Sequence, residues 1–231
     1  MTTEEITIRP MPRINDPAPQ FTTSNTTKGA FSLSDLKDKW VILFSHPADF
    51  TPVCTTEFIE FAKRHEEFQR KNVEIVGLSV DSIFAHLGWV KSIENNFKVK
   101  IPFRVIADRD MKVANLYGMI QPNESDTATV RAVFFISPEG KTPAGQPDVQ
   151  RIRAIIYYPL SLGRNMDEIV RVVDALQANA KYQVATPVNW RPGDAAIIPP
   201  PTTQEAADSR KNEVEKVNGE YVDWYFSKKK V

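Results

Sequence analysis

The sequence has a single cysteine, Cys54, three histidines and only nine glycines in 231 residues. One cysteine excludes an intramolecular disulfide, and with it both the disulfide-stapled secreted class and a Cys-x-x-Cys shuttle. One cysteine and scattered histidines make no zinc pattern. No glycine-rich loop is present to cradle a phosphate, and Gly77-Leu78-Ser79-Val80-Asp81 lacks the second glycine of a nucleophile elbow. No metal, haem or flavin motif is seen, so no cofactor is expected. Neither sign of charge is in excess: 29 basic residues cancel 29 acidic ones, which argues against a global footprint for nucleic acid or an anionic membrane. Lys228-Lys229-Lys230 reads as a solvated tail. There is no apolar run long enough to span a bilayer and no signal-peptide core, so a cytoplasmic location is expected. Seventeen prolines outnumber the glycines, and many fall in the last third of the chain.

What is present is an ordinary globular mixture, 42% hydrophobic and 25% charged, long enough for one domain with an appendage. Its most informative stretch surrounds the cysteine: His46-Pro47-Ala48-Asp49-Phe50-Thr51-Pro52-Val53-Cys54-Thr55-Thr56-Glu57. An apolar run, Val41-Ile42-Leu43-Phe44, precedes it and reads as a buried strand. Helical spacing follows it, at Phe58, Phe61, Ala62, His65 and Phe68. Thr51 suits the N-cap, with its hydroxyl accepting a backbone N–H, and Pro52 suits the first helical position. Cys54 then falls in the first turn, near unpaired N–H groups and the positive end of the helix dipole, where a thiolate is favoured. A lone cysteine can equally be a small buried hydrophobe. The polar company of His46, Asp49, Thr51, Thr55 and Thr56 argues against an inert pocket.

Strands alternate with helices along the chain. Strand-like runs lie at Val73–Val80, Phe103–Ala107, Val130–Ile136 and Ile152–Tyr158. Ser82 can cap a helix whose apolar positions include Leu87, Val90, Ile93 and Phe97. Asp110 opens a short helix that Gly118 stops. Asn165 and Glu168 have capping-box spacing ahead of Ile169, Val172, Val173 and Leu176. The expected class is α/β, with a mixed central sheet flanked by helices. The expected organisation is a domain over 1–183 and a C-terminal extension over 184–231. The extension combines proline-rich chain, a charged helix at Glu205–Val217 and the aromatic run Tyr221-Val222-Asp223-Trp224-Tyr225-Phe226. With Trp190, these aromatics exceed what a free tail carries, and a partner subunit is the expected cover.

Arg131 opens an otherwise apolar strand. It has two readings: an edge arginine that snorkels to solvent, or a fork facing the cysteine to stabilise a thiolate and a developing oxyanion. Arg164 by pattern is a surface cation. His46 is a core histidine or a positioning group, while His65 and His86, on helices away from the motif, read as surface or interfacial.

The pattern Pro47-x-x-x-Thr51-x-x-Cys54 resembles the active-site loop of the peroxiredoxins. The resemblance extends to Thr129-Val130-Arg131-Ala132-Val133-Phe134 and to Tyr158-Pro159 with Gly163-Arg164-Asn165-x-Asp167-Glu168-Ile169. It also covers Val184-Ala185-Thr186-Pro187-Val188-Asn189-Trp190. The last two stretches resemble the branch that has one catalytic cysteine and a long C-terminal extension. That resemblance implies a thioredoxin-like fold and a thiol peroxidase acting on hydrogen peroxide or small alkyl hydroperoxides. Cys54, Thr51 and Arg131 would be catalytic, and Pro47, His46, Arg131 and Arg164 would bind substrate. It further implies an external thiol reductant and a homo-oligomer, either a dimer or a ring of dimers. The rival class is an oligomeric holdase or scaffold. Some archaeal members carry cysteines where this chain has Tyr221 and Ser227, so no resolving thiol is expected. The phospholipase serine of animal members is replaced by Lys39, before Trp40, and that activity is not supported.

Overall fold

The computed structural model describes residues 11–141 and 147–231. They fall into two compact units, one reaching to Arg164 and the other running Asn165–Val231.

The first unit is built on a five-stranded sheet: β1 (Trp40–Ser45), β2 (Val73–Ser79), β3 (Arg104–Ala107), β4 (Arg131–Ile136) and β5 (Ile152–Tyr158). Their spatial order is β3-β2-β1-β4-β5. The β1–β2 and β2–β3 pairs are parallel, whereas β1–β4 and β4–β5 are antiparallel. The sheet is therefore mixed, as expected. β1 is central, and Val41, Ile42, Leu43 and Phe44 are each at most 1% exposed. Continuous apolar runs of this kind suit a strand covered on both faces. Phe44 pairs with Gly77 across β1 and β2. A Cβ at Gly77 would come within 3.1 Å of the Phe44 ring, so the glycine makes room for it.

Helices α1 (Pro52–Lys63), α2 (His65–Arg70), α3 (Ile83–Phe97) and α4 (Lys112–Leu116) connect the strands. The apolar stripe after the cysteine lies on two helices, not one, because Arg64 leaves helical dihedrals at φ −93°, ψ 3°. Phe58, Phe61 and Phe68 are fully buried, whereas Ala62 and His65 are only half-buried. Ser82 caps α3 by accepting from the Ala85 N–H, as expected. The buried face of α3 differs from the sequence reading. It carries His86, Trp89 and Ile93, while Leu87 and Phe97 are more than half exposed. At the start of α4 Asp110 accepts from the Lys112 N–H, and Asp108, which the pattern did not single out, accepts from the Val113 and Ala114 N–H groups.

In the second unit Asn165 caps α5 (Met166–Tyr182), its side chain accepting from the Asp167 and Glu168 N–H groups. Glu168 pairs with Arg171. Thr203 caps α6 (Gln204–Lys216). Strands β6 (Ala196–Ile197), β7 (Glu220–Asp223) and β8 (Phe226–Lys229) form an antiparallel sheet in the order β6-β8-β7. Tyr221 and Ser227 face each other across the β7–β8 pair. Trp190 is not a free aromatic: it is 3% exposed and its indole N–H donates to the Asp194 carbonyl. Trp224 and Tyr225 remain 46% and 56% exposed. No helix of the described residues is long and apolar enough to cross a membrane.

Candidate active site

The end of β1 and the start of α1 bring the motif together. Pro47 is buried and Phe50 takes a left-handed φ of +56°, an uncommon conformation for a bulky residue. Thr51 sits at the N-cap with extended dihedrals and Pro52 at the first helical position. The Thr51 hydroxyl does not cap the helix; it donates to the Ala48 carbonyl at 2.8 Å. Its proton is thereby committed, and its lone pairs stay free to accept. Cys54 is completely buried in the first turn, where backbone N–H groups have no acceptor within the helix.

Beside the sulfur stands a buried ionic cluster. Arg131 Nη1 is 3.3 Å from Cys54 Sγ and 2.9 Å from Glu57 Oε2. The other side of that fork, Nε and Nη2, donates to the Leu160 carbonyl at 2.9 and 2.7 Å. Arg131 is 3% exposed and therefore does not snorkel to solvent. Arg164 lies across Glu57, with Nε 3.0 Å from Oε1 and Nη2 2.6 Å from Oε2, and its own backbone N–H adds a third bond at 3.0 Å. Its guanidinium also covers the Phe44 ring at 4.9 Å. Arg164 is thus a buried residue and not a surface cation. It reaches the sulfur only through Glu57 and Arg131.

Burial pushes the Glu57 carboxyl up, but the Arg164 charge and hydrogen bonds, with Arg131 behind them, outweigh burial and hold it below 4.5. One carboxylate between two guanidiniums leaves one positive charge over. A Cys54 thiolate brings the cluster to neutrality, whereas a thiol leaves a buried net charge.

The start of β4 is held by side chains where the strand ladder ends at Phe44 and Val133. Ser45 Oγ donates to the Val130 carbonyl at 2.6 Å and accepts from the Ala132 N–H at 3.2 Å. Thr129 Oγ1 donates to the His46 carbonyl at 2.7 Å. These bonds tie the strand bearing Arg131 to the loop that leads to Cys54.

A second polar group lies within the same loop. His46 Nε2 is 2.9 Å from Asp49 Oδ1, and His86 Nδ1 is 2.7 Å from Asp49 Oδ2. His86 Nε2 meets the Ile106 carbonyl at 3.1 Å. Both histidines are completely buried, so His86 is neither surface nor interfacial, in contrast to its sequence reading. Burial lowers the His46 pKa below 6.5. Burial raises that of Asp49, yet the bonds from the two imidazoles win and hold it below 3.8. Two imidazoles and a carboxylate have the composition of a metal site. Their contacts, however, have hydrogen-bond lengths, and both carboxylate oxygens already face an imidazole nitrogen.

Sequence reasoning missed Glu57 and His86. A buried arginine on an apolar strand, Arg131, requires an anion, and Glu57 lies one helical turn from Cys54. His86 has i, i+3, i+7 spacing with Trp89 and Ile93.

The chain is similar to known proteins over nearly its whole length. Residues 14–142 match the AhpC/TSA family, and residues 175–216 match the C-terminal domain of 1-Cys peroxiredoxin. A peroxiredoxin of Methanosarcina mazei is 52% identical, covering 95% of this chain and 98% of its own. A peroxiredoxin of Aquifex aeolicus is 48% identical over 96% of this chain and 98% of its own. Among solved structures, a yeast mitochondrial 1-Cys peroxiredoxin superposes with a TM-score of 0.80 at 40% identity, covering 96% of this chain and all of that one. That structure concerns thiol resolution via glutathione and thioredoxin systems. A cysteine-to-serine mutant of peroxiredoxin 6 from Arenicola marina gives a TM-score of 0.78 at 31% identity, covering 94% of this chain and 97% of that one.

Proposed function

The chain belongs to the AhpC/TSA family of peroxiredoxins and has the C-terminal domain of their 1-Cys members, and from that premise we propose how its residues act as a thiol peroxidase. Cys54 is the nucleophile. Its thiolate attacks the distal oxygen of hydrogen peroxide or a small alkyl hydroperoxide. The S–O bond forms as the O–O bond breaks, the sulfur is oxidised to a sulfenic acid, and the leaving oxygen takes a proton and departs as water or alcohol. The peroxide is reduced by the same two electrons.

The contact between Arg131 Nη1 and Cys54 Sγ, 3.3 Å, is the observation that carries this assignment. Arg131 stabilises the thiolate and the charge developing on the peroxide oxygens. Thr51, with its lone pairs free, accepts from the peroxide O–H and sets it in line. Pro47 and His46 form the wall of the peroxide pocket. Arg164 acts on bound substrate through Glu57 and Arg131. Full burial of Cys54 favours small hydroperoxides over bulky ones.

With one cysteine in the chain, the sulfenic acid is reduced by an external thiol of the glutathione or thioredoxin kind. That need fits a cytoplasmic location, where such thiols are kept reduced. The working form is a homo-oligomer, a dimer or a ring of dimers. The peroxidase reading is favoured over a scaffold by the intact cysteine cluster. Peroxide consumption with glutathione or thioredoxin as reductant tests it: Cys54→Ser should abolish turnover and keep the fold. Near wild-type turnover in that variant would exclude the mechanism.

A further inference from the structure

The Arg131 guanidinium is aimed by the edge that turns away from the sulfur. Nε and Nη2 share one oxygen, the Leu160 carbonyl, at 2.9 and 2.7 Å. The guanidinium is a rigid plane, so fixing that edge fixes the direction of Nη1, which meets Cys54 Sγ at 3.3 Å. The place of the Leu160 carbonyl is therefore a condition of the contact between Arg131 and Cys54. The β4–β5 ladder does not reach Leu160, since its last pair is Arg131 with Tyr158. Pro159 follows and brings no N–H to extend it. The chain turns at once, with the Leu162 N–H donating to the Pro159 carbonyl at 3.2 Å. The Leu160 N–H lies past the last rung and donates to Glu124 Oε1 at 2.8 Å.

Glu124 is exposed, yet the loop that carries it is closed on itself. The N–H groups of Glu124 and Ser125 both donate to the Gln121 carbonyl at 2.8 Å, and Ser125 Oγ accepts from the Ala128 N–H at 3.0 Å. The loop then runs into Thr129 and Val130, which are bonded to His46 and Ser45, and so into Arg131. It reaches the arginine by two routes: along the chain through Val130, and across space through Glu124 and Leu160. An exposed glutamate ordinarily gives its carboxylate to water. This one is held by a main-chain N–H 36 residues further on, next to the carbonyl that anchors Arg131.

We propose that Glu124 is a positioning residue for the oxidation of Cys54, pinning Leu160 so that its carbonyl holds the Arg131 fork against the sulfur. The proposal rests on the reading of Arg131 as a catalytic group. Glu124 acts through Leu160 alone. Without its side-chain oxygen the Leu160 N–H turns to water, the turn after β5 loosens, and Nη1 loses its aim. The loss falls on the reaction and not on the fold, because the core strands and the Glu57 ion pairs are untouched.

The test is the rate of Cys54 oxidation by hydrogen peroxide in the reduced full-length protein, measured across a cycle of Glu124 and Arg131 variants. Glu124→Ala should keep the natural unfolding midpoint and slow oxidation about tenfold, since a small misplacement of a catalytic group is costly. Should it not fold, Glu124→Leu, which also lacks an acceptor, takes its place. Glu124→Gln keeps an oxygen for the Leu160 N–H and should return the rate to within about twofold of the natural one. In the Arg131→Met background Glu124→Ala should cost nothing further, because the two residues act as one unit. A natural rate in Glu124→Ala, or the same loss with and without the arginine, overturns the proposal. So does a Glu124→Gln variant as slow as Glu124→Ala, which would make the charge the active element and not the hydrogen bond. Oxidation at the natural rate in Arg131→Met alone would overturn the reading of Arg131 itself, and the proposal with it.

Discussion

Arg131 Nη1 stands 3.3 Å from Cys54 Sγ, and the same nitrogen is 2.9 Å from Glu57 Oε2. One guanidinium therefore couples the reactive sulfur to the buried carboxylate. Replacing Arg131 with Met should slow both peroxide oxidation and iodoacetamide alkylation of Cys54. A charged hydrogen bond of this kind contributes roughly 1.5–3 kcal/mol, so the peroxide rate should fall about tenfold to a hundredfold. Stopped-flow tryptophan fluorescence would measure it. An unchanged alkylation rate would show that the guanidinium does not stabilise the thiolate.

Glu57→Gln removes the only carboxylate among the described residues in contact with both Arg131 and Arg164. Two guanidiniums are then left facing each other without a counter-charge. Breaking a buried pair in this way costs on the order of 3–5 kcal/mol. The expected result is a clear drop in unfolding midpoint together with lost peroxidase activity. A variant of natural stability would mean that the arginines find other acceptors.

Thr51 donates to the Ala48 carbonyl, and its remaining value to the site lies in its lone pairs. Thr51→Ser should keep most activity. Thr51→Val should fold, since the hydroxyl does not cap α1, yet react with peroxide at least about tenfold more slowly. Equal rates for the two variants would remove Thr51 from the reaction.

Much of the first unit was legible because its strands are continuous apolar runs. Ser82 there, and Asn165 in the second unit, cap where the pattern placed them. What escaped was tertiary. Spacing alone could not show that Leu87 stays exposed while His86 is buried, because the polar neighbours that satisfy His86 come from two other elements. Sequence does not rank whether the Thr51 hydroxyl accepts from a helix N–H or only donates to the Ala48 carbonyl, as it does here. Trp190 looked free because its partner, the Asp194 carbonyl, is main chain.

Stability should fall as the pH is lowered, in two stages. Burial holds the His46 and His65 pKa values below the ordinary 6.5, so the unfolded chain binds more protons there. Their contribution is full above 6.5 and declines as the pH drops below it. Asp49 and Glu57 are held below 3.8 and 4.5, so their contribution persists down to those values and is lost beneath them. Asp108 opposes the second stage, because burial raises its carboxyl above 3.8 and folding takes up its proton. Urea unfolding at a series of pH values should show both limbs, and His46→Gln should shrink the first and, because its imidazole helps hold Asp49 down, part of the second. A flat profile between pH 6.5 and 4.5 would contradict the burial of a neutral His46.

The exposed aromatics of the C-terminal hairpin carry the final prediction. Trp224 and Tyr225 lie between β7 and β8 and are 46% and 56% exposed, with Val222 at 58% beside them. Their rings already pack on each other at 5.6 Å, so the patch is ordered before any partner arrives. Preordered aromatics lose little entropy on burial and are favoured at interface centres. Trp190 does not belong to this patch, because it is buried within its own chain. Truncation near residue 185 would remove that buried residue as well and confuse folding with assembly. The cleaner test is a double variant, Trp224→Ser with Tyr225→Ser, in the full chain. It should keep the natural unfolding midpoint when dilute yet sediment with fewer subunits at micromolar concentration. An unchanged sedimentation coefficient would show that the hairpin is not an assembly surface.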